Sequence, residues 1–359
     1  MNSNKTDTKR IALIGYKFCY GGLEKVMSDL SILFENNNYQ VVTIVLDKEV
    51  CYPNGGQLIT LGNENKISKY LKLNTILKKN KFDYIIDFRY RLNPLMELLF
   101  LLFIYRKSKL IYTVHSSNLE AYFTKYDFIA KLILKKANAL VSVSKVIKEK
   151  LVNKFQNGTI DVIPNGFDFE KVTQLSLVER TNLPDFNFII ATGRLAKEKQ
   201  FDKLIEIYAT SILPLNDIHL LILGEGEQEC LLKEKCNLLG MNERIHFLGF
   251  QDNPYVYQKK AFFSILCSAF EGFPMVILES LAVGTPVISF DCPTGPSEMI
   301  VHHENGLLIE NQNFSELQNK IEWLIQHPDI IELYKKQSIK SVAQFENKVI
   351  LDKWNAILK

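Results

Sequence analysis

Short apolar runs rich in Val, Ile and Leu recur along this chain, with longer amphipathic stretches between them. In the first half the short runs are "IALIGY", "QVVTIVLD", "DYIIDF", "KLIYTVH" and "ALVSVS", separated by stretches such as "LEKVMSDLSILFEN" and "TKYDFIAKLILKKA". The second half repeats the theme with "FIIATGR", "HLLILGEG", "RIHFLGF", "FFSILCS" and "TPVISFD". A strand that is apolar on both faces needs cover on both, which a parallel sheet flanked by helices supplies. The alternation therefore predicts an α/β chain built of doubly wound parallel sheets. So many strands exceed one sheet of usual size, and 359 residues exceed one ordinary core. We expect two Rossmann-like domains, over residues 1–165 and 183–342, with a linker at 166–182 and a last helix at 343–359 that packs on one of them. Sheets wound this way bind ligands beyond their strand C-termini, so both sites are expected to face a shared cleft.

A content of 47% hydrophobic and 23% charged residues is that of a soluble globular protein. The polar opening "MNSNKTDTKR" runs straight into the first strand, so no secretory signal is expected. The longest apolar run, "PLMELLFLLFIY" from Pro94 to Tyr105, is 12 residues long and contains Glu97. That is short of the roughly 20 residues needed to span a bilayer, and a buried helix is expected, with an interfacial membrane contact as the alternative. Cys19, Cys51, Cys230, Cys236, Cys267 and Cys292 show no C-x-x-C spacing and are read as reduced, mostly core thiols. The expected location is cytoplasmic, peripheral at the inner face of the membrane. Charge divides unevenly. Residues 1–165 hold 25 Lys and Arg against 14 Asp and Glu, a net of +11, and residues 166–359 carry a net of −8. A basic half suits anionic lipid or phosphate-bearing substrates. No zinc, helix-turn-helix or RNA-binding signature accompanies it, so nucleic acid is not expected as a partner.

Glycines and charges cluster where strands end. After the first strand, Gly21 and Gly22 stand at the start of a helix, where bare backbone N–H groups can approach an anion. The spacing is not G-x-G-x-x-G, so the dinucleotide fingerprint is missing. His115 closes the "KLIYTVH" strand at the expected cleft. In "ATGRLAKEKQ", Gly193 and Arg194 follow a strand and Lys199 stands five residues later, a fork and a point charge suited to a diphosphate. Gly224 gives a further backbone-approach turn in "LILGEGE". The stretch "SAFEGFPMVILESLAVG" reads as strand, turn and helix, with Pro274 at about the first helical position. Glu271, Gly272 and Phe273 then lie on the turn. The amides of Met275 and Val276 face an anion, and Glu279 looks back from about five residues into the helix. Two carboxylates beside an anion site fit sugar hydroxyls, one on a transferred sugar and one on a ribose. A general acid/base pair, as in glycosidases, is the competitor, but it leaves the Arg and Lys unexplained.

Taken in order, "GGLEKV", "VSVSK", "IPNGFD", "GRLAKEK", "LGEGE", "EGFPMVILE" and "GTPVISFDCPTGPSEMI" resemble the retaining glycosyltransferases of family 4, which have the GT-B fold of two Rossmann-like domains facing a cleft. The resemblance implies a metal-independent transferase that moves a hexose or N-acetylhexosamine from a nucleotide-sugar, a UDP-sugar above all. The acceptor would be a lipid-linked or polysaccharide glycan of the capsule or lipopolysaccharide kind. It places Glu271 on the transferred sugar, Glu279 on the ribose, Arg194 and Lys199 on the diphosphate, Gly21 and Gly22 over the phosphates, and His115 near donor sugar and acceptor. Gln200 stands where the family usually has glycine, and Ser116 where it often has an acid. With no Asp-x-Asp tripeptide in the chain, neither metal nor other cofactor is expected. A non-catalytic sugar-nucleotide-binding subunit, or an epimerase or phosphorylase of the same architecture, is the alternative.

Overall fold

The computed structural model describes residues 8–19, 21–105, 108–156, 160–179 and 183–359; the first seven residues of the polar opening and the 180–182 end of the expected linker lie outside them. By its contacts the chain divides into two units, residues 1–167 with 347–359 and residues 168–346.

The first unit is built on seven parallel strands: β1 (Arg10–Gly15), β2 (Gln40–Val45), β3 (Gln57–Thr60), β4 (Tyr84–Asp87), β5 (Lys109–Val114), β6 (Ala139–Ser142) and β7 (Asp161–Val162). Their order is β3-β2-β1-β4-β5-β6-β7. The second unit has six: β8 (Asn187–Thr192), β9 (Ile218–Leu223), β10 (Ile245–Phe247), β11 (Ser264–Leu266), β12 (Val287–Phe290) and β13 (Gly306–Ile309), in the order β10-β9-β8-β11-β12-β13. In each sheet the winding reverses at its first strand, between β1 and β4 and between β8 and β11. Loops diverge there, and a crevice opens at the carboxyl ends. The strands form where the sequence is apolar on both sides; all six residues of β9 are buried.

In the first unit, helix Gly22–Glu35 lays Met27, Leu30 and Phe34 on the core over β1. Helix Asn347–Ile357 sends Ile350 and Trp354 into the same core, and the Trp354 ring meets Phe34 edge-on at 5.7 Å. The chain's last helix therefore completes the first unit. The 166–182 segment is no simple linker: Asp168 caps a helix, Phe169–Ser176, by accepting from the Lys171 amide at 2.9 Å. The Leu175 carbonyl then accepts from Asn253, so the helix belongs to the second unit.

Two expectations are corrected. The run Pro94–Tyr105 is not a single buried helix. It forms a short α-helix, Pro94–Leu99, that passes into a π-helix, Phe100–Ile104, and Leu95, Leu102 and Phe103 stay exposed. Nor are all six cysteines free: Cys19 and Cys51 form a disulfide with Cα atoms 4.8 Å apart. Cys236, Cys267 and Cys292 are buried thiols as expected, whereas Cys230 is exposed.

Candidate functional site

In the second unit four strand exits are stitched together at the carboxyl end of the sheet. The chain leaving β8 turns at Gly193, and Gly224, leaving β9 with φ = 131°, lies so near the Gly193 carbonyl that a Cβ would collide with it. The Leu195 amide donates to the Glu225 carbonyl at 2.9 Å, which ties these two exits. The exit from β11 joins them where the Ala269 amide donates to the Glu198 carbonyl at 2.8 Å. The exit from β12 adds the Thr294 hydroxyl, which donates to the Glu271 carbonyl.

Within this frame Lys199 Nζ stands 2.6 Å from Glu271 Oε1, both largely sheltered at 19% and 10% side-chain exposure. The same carboxylate oxygen accepts from Ser268 Oγ at 2.6 Å. The Lys199 stem passes 3.8 Å from where a Cβ on Gly193 would stand, so that glycine leaves the lysine its path. Arg194 shares the loop but reaches Glu198 at 2.6 Å and is 61% exposed. Its hydrogen bond to the Glu198 carboxylate raises the arginine's pKa. Burial alone would raise Glu198, but its own backbone N–H and Arg194 hold it below the usual carboxylate range. Each of the two expected diphosphate cations is thus paired with a carboxylate.

Helix Met275–Ala282 begins beside this pair. Pro274 is its N-cap rather than its first helical residue, and no side chain caps the end. The Met275 and Val276 amides therefore stand at an open, positive helix terminus. Gly295, at φ = 105°, packs on Pro274 and the Gly272 carbonyl and fixes the turn, and Phe273 is buried under it. Glu279 lies one turn into the helix, half-buried. The structure so gathers Gly193, Lys199, Gly224, Glu271 and the 272–276 turn. Cys267 and Cys292 close the floor, and burial pushes both thiols up to about 12, so neither is a thiolate nucleophile at neutral pH.

The sequence reading missed four residues of this site, Ser268, Glu198, Thr294 and Gln312, the last of them the partner of Gln200. Gln200 takes φ = 53°, the left-handed conformation for which the family uses glycine, and its side-chain amide exchanges hydrogen bonds with Gln312 at 2.9 and 3.0 Å. The departure from glycine was the visible signal. The partner, 112 residues away, was not.

Gly21, Gly22 and His115 belong to the first unit. Gly22 faces open space at the uncapped start of helix Gly22–Glu35, as an anion site requires. The neighbouring place is taken: the Glu24 carboxylate folds back over Gly21, and burial raises its pKa. His115 stacks on Phe88 at 5.3 Å between ring centroids. Both its ring nitrogens are buried without a hydrogen-bond partner, and it lines a cavity of about 30 Å³ with Thr113 and Asn165. Burial, reinforced by the charge of Arg91, pushes its pKa down to about 3, so at neutral pH it is a neutral ring and not an imidazolium. A larger cavity of about 330 Å³ lies at the ends of β1 and β4, lined by Tyr16, Lys17, Leu23, Glu24, Tyr90 and Asn93 among others. No cluster of three metal-ligating side chains occurs among the described residues.

Sheet order and glycine-lined strand exits define the second unit as a doubly wound α/β unit, and the chain carries two such sheets. Residues 20–171 match the sequence model described as Glycosyltransferase Family 4, and residues 177–341 the one described as Glycosyl transferases group 1. The chain belongs to these glycosyltransferases, and its fold is GT-B. It is 33% identical, over 61% of its length, to the N-acetylgalactosamine-N,N'-diacetylbacillosaminyl-diphospho-undecaprenol 4-alpha-N-acetylgalactosaminyltransferase of Campylobacter jejuni, and spans about six tenths (59%) of that relative. With the amylovoran biosynthesis glycosyltransferase AmsD of Erwinia amylovora it shares 25% identity over 94% of this chain and 96% of that one. The solved structure of Anabaena HepE, in complex with UDP, has the same fold at a TM-score of 0.79, covering 97% of this chain and 99% of that one at 17% identity.

Proposed function

We propose that this protein transfers a hexose or N-acetylhexosamine from a nucleotide-sugar, a UDP-sugar, to a lipid-linked or polysaccharide acceptor in bacterial surface-glycan assembly. The observation that carries the reading is the Lys199–Glu271 pair at four converging strand exits, beside the uncapped start of helix Met275–Ala282. As the glycosidic bond to the diphosphate breaks, negative charge grows on the leaving oxygens. Lys199, Arg194 and the Met275 and Val276 amides are placed to take that charge without a metal, the largest kind of catalytic contribution a preorganised site makes. Glu271 then grips hydroxyls of the transferred sugar and Glu279 those of the ribose. The acceptor oxygen bonds the anomeric carbon on the face the diphosphate leaves, and its proton passes to the departing phosphate oxygen, so configuration is retained. The 330 Å³ cavity of the first unit, with Tyr16 and Tyr90 as stacking faces and Glu24 and Asn93 as polar groups, is the acceptor pocket. The Campylobacter relative's diphospho-undecaprenol substrate and the UDP held by the Anabaena structure support the donor and acceptor classes. The lysine excess of residues 1–165 suits a peripheral seat on anionic lipid.

The test is nucleoside diphosphate release from a panel of nucleotide-sugars, with and without a lipid-linked sugar acceptor. Lys199→Ala should lower kcat by about 10²- to 10³-fold, the loss expected when one charge-stabilising group is removed. Excess EDTA should leave the rate unchanged. Near wild-type turnover in Lys199→Ala, or a loss in EDTA restored by manganese, overturns the mechanism. Phosphate-dependent turnover without an acceptor would instead indicate a phosphorylase, and donor binding without turnover a binding subunit.

A further inference from the structure

The segment expected to be a buried helix is the least buried apolar piece of the first unit. Helix Pro94–Leu99 and π-helix Phe100–Ile104 turn Glu97, Phe100, Leu101 and Ile104 inward, while Leu95, Leu102 and Phe103 face water. Leu92, on the loop before them, is exposed as well. The neighbours extend this face. Helix Lys66–Asn80 docks on the π-helix through Tyr70 against Phe100, ring centroids 5.7 Å apart, and leaves Ile67 and Leu71 outward on one face. Helix Asp127–Lys136 packs against Pro94–Leu99 and leaves Phe128 outward. All seven side chains are between 59% and 76% exposed. Single exposed leucines are ordinary, but a contiguous set of this size marks an interaction face.

Two costly features lie directly beneath it. Arg89 is held by Asp87 at 2.9 Å and Glu97 at 3.1 Å, with all three side chains at most 1% exposed, and its guanidinium lies 3.5 Å from the Phe100 ring centroid. A buried ion cluster stabilises a core less than apolar packing of the same volume would, and π-turns are rare outside functional sites. Both hold in place the piece that projects Leu95, Leu102 and Phe103 into water. The surrounding charge is mostly positive: helix Lys66–Asn80 carries five lysines and no carboxylate, and on helix Asp127–Lys136 Lys131 and Lys135 stand exposed against one exposed carboxylate, Asp127. Among these lysines, Lys72 is paired with Glu64 at 2.7 Å.

We infer that this ledge seats the protein on an anionic bilayer, with Leu95, Leu102, Phe103 and Phe128 entering the acyl boundary and the lysines spread among the headgroups. The pattern is that of an interfacial helix pair, apolar in the middle and basic at the margin. Among the described residues no helix is long and apolar enough to cross a membrane, so the contact is a lateral one. Leu92 and Asn93 line both the ledge and the mouth of the 330 Å³ pocket, which therefore opens at the lipid surface. The inference deepens the proposed function and rests on it for one point, that the acceptor arrives from the membrane.

Co-sedimentation of the full chain with phosphatidylcholine vesicles, with and without phosphatidylglycerol, tests it. Wild type should bind the anionic vesicles and keep part of that binding at high salt, since apolar insertion is not screened. Leu95→Glu with Phe103→Glu should lower the partition coefficient by about a hundredfold or more, because two apolar side chains are no longer taken out of water. The same variant should melt at the wild-type temperature and turn over a water-soluble acceptor at the wild-type rate, while losing turnover of a vesicle-borne one. Failure of wild type to bind anionic vesicles, or equal binding by the variant, overturns the inference. So does a wild-type dimer in solution that the variant makes monomeric, because a second copy is then the occupant. Absence of turnover with either acceptor refutes the proposed function instead, and leaves the vesicle result to be read by itself.

Discussion

His115 shows what one residue's surroundings add to its type. The sequence puts a histidine at the end of β5, and the structure finds it there, but its protonation is set by Phe88, Arg91 and the small polar cavity around it. The folded ring takes a proton only near pH 3, the unfolded ring at its ordinary 6.5. Between those values the unfolded chain binds more protons, so stability falls as pH drops; above 6.5 the group contributes no pH dependence. His115→Phe should therefore unfold with a shallower loss of stability between pH 6.5 and 4.5 than wild type, by up to about 1.4 kcal/mol per pH unit. Urea melts at several pH values measure this, and parallel slopes for the two proteins would disprove it. The Lys199–Glu271 contact lies at the same level of detail. Sequence named both residues, but not that each would hold the other.

Elements were legible in proportion to their burial. The ten apolar runs read as strands are strands; most are buried along nearly their whole length, and the edge strand β10 is the partly covered exception. β3, β7 and β13 escaped that reading. β3 is a half-exposed edge strand, β7 is two residues long, and β13 lies in "NGLL", where asparagine and glycine mask a short buried run. The stretch from Pro94 to Tyr105 misled for another reason. Its composition is that of a core helix, but Arg89 sits under it and pulls Glu97 inward, which turns Leu95, Leu102 and Phe103 out. Arg89→Leu should cost about 3–5 kcal/mol, because it leaves two carboxylates buried without their cation. Adding Asp87→Asn and Glu97→Leu should recover part of that loss, since it removes both unpaired carboxylate charges but leaves Arg91, 3.8 Å from Asp87 and equally buried, without its counter-charge. If denaturant midpoints showed the triple variant as unstable as the single one, the cluster would be worth more than its charges.

At the level of the whole molecule, the two alternating halves and the opposite net charges were readable from the chain, but the boundary was not. Polar residues between 166 and 182 suggested a linker, whereas Asp168 caps a helix that the second unit uses, so the division falls between Phe167 and Asp168. The return of the last helix to the first unit rests on Trp354 meeting Phe34, a pairing 320 residues apart that no local pattern announces. Removal of residues 347–359 should expose that socket and lower the first unit's transition by several degrees in calorimetry, with the second unit's transition unmoved. A single unshifted transition would show the helix to be an ornament. The same crossing has a temporal side. On a ribosome the second unit is one unbroken stretch and can close as soon as it emerges, while the older first unit waits, its greasy groove open, until residues 347–359 arrive to plug it.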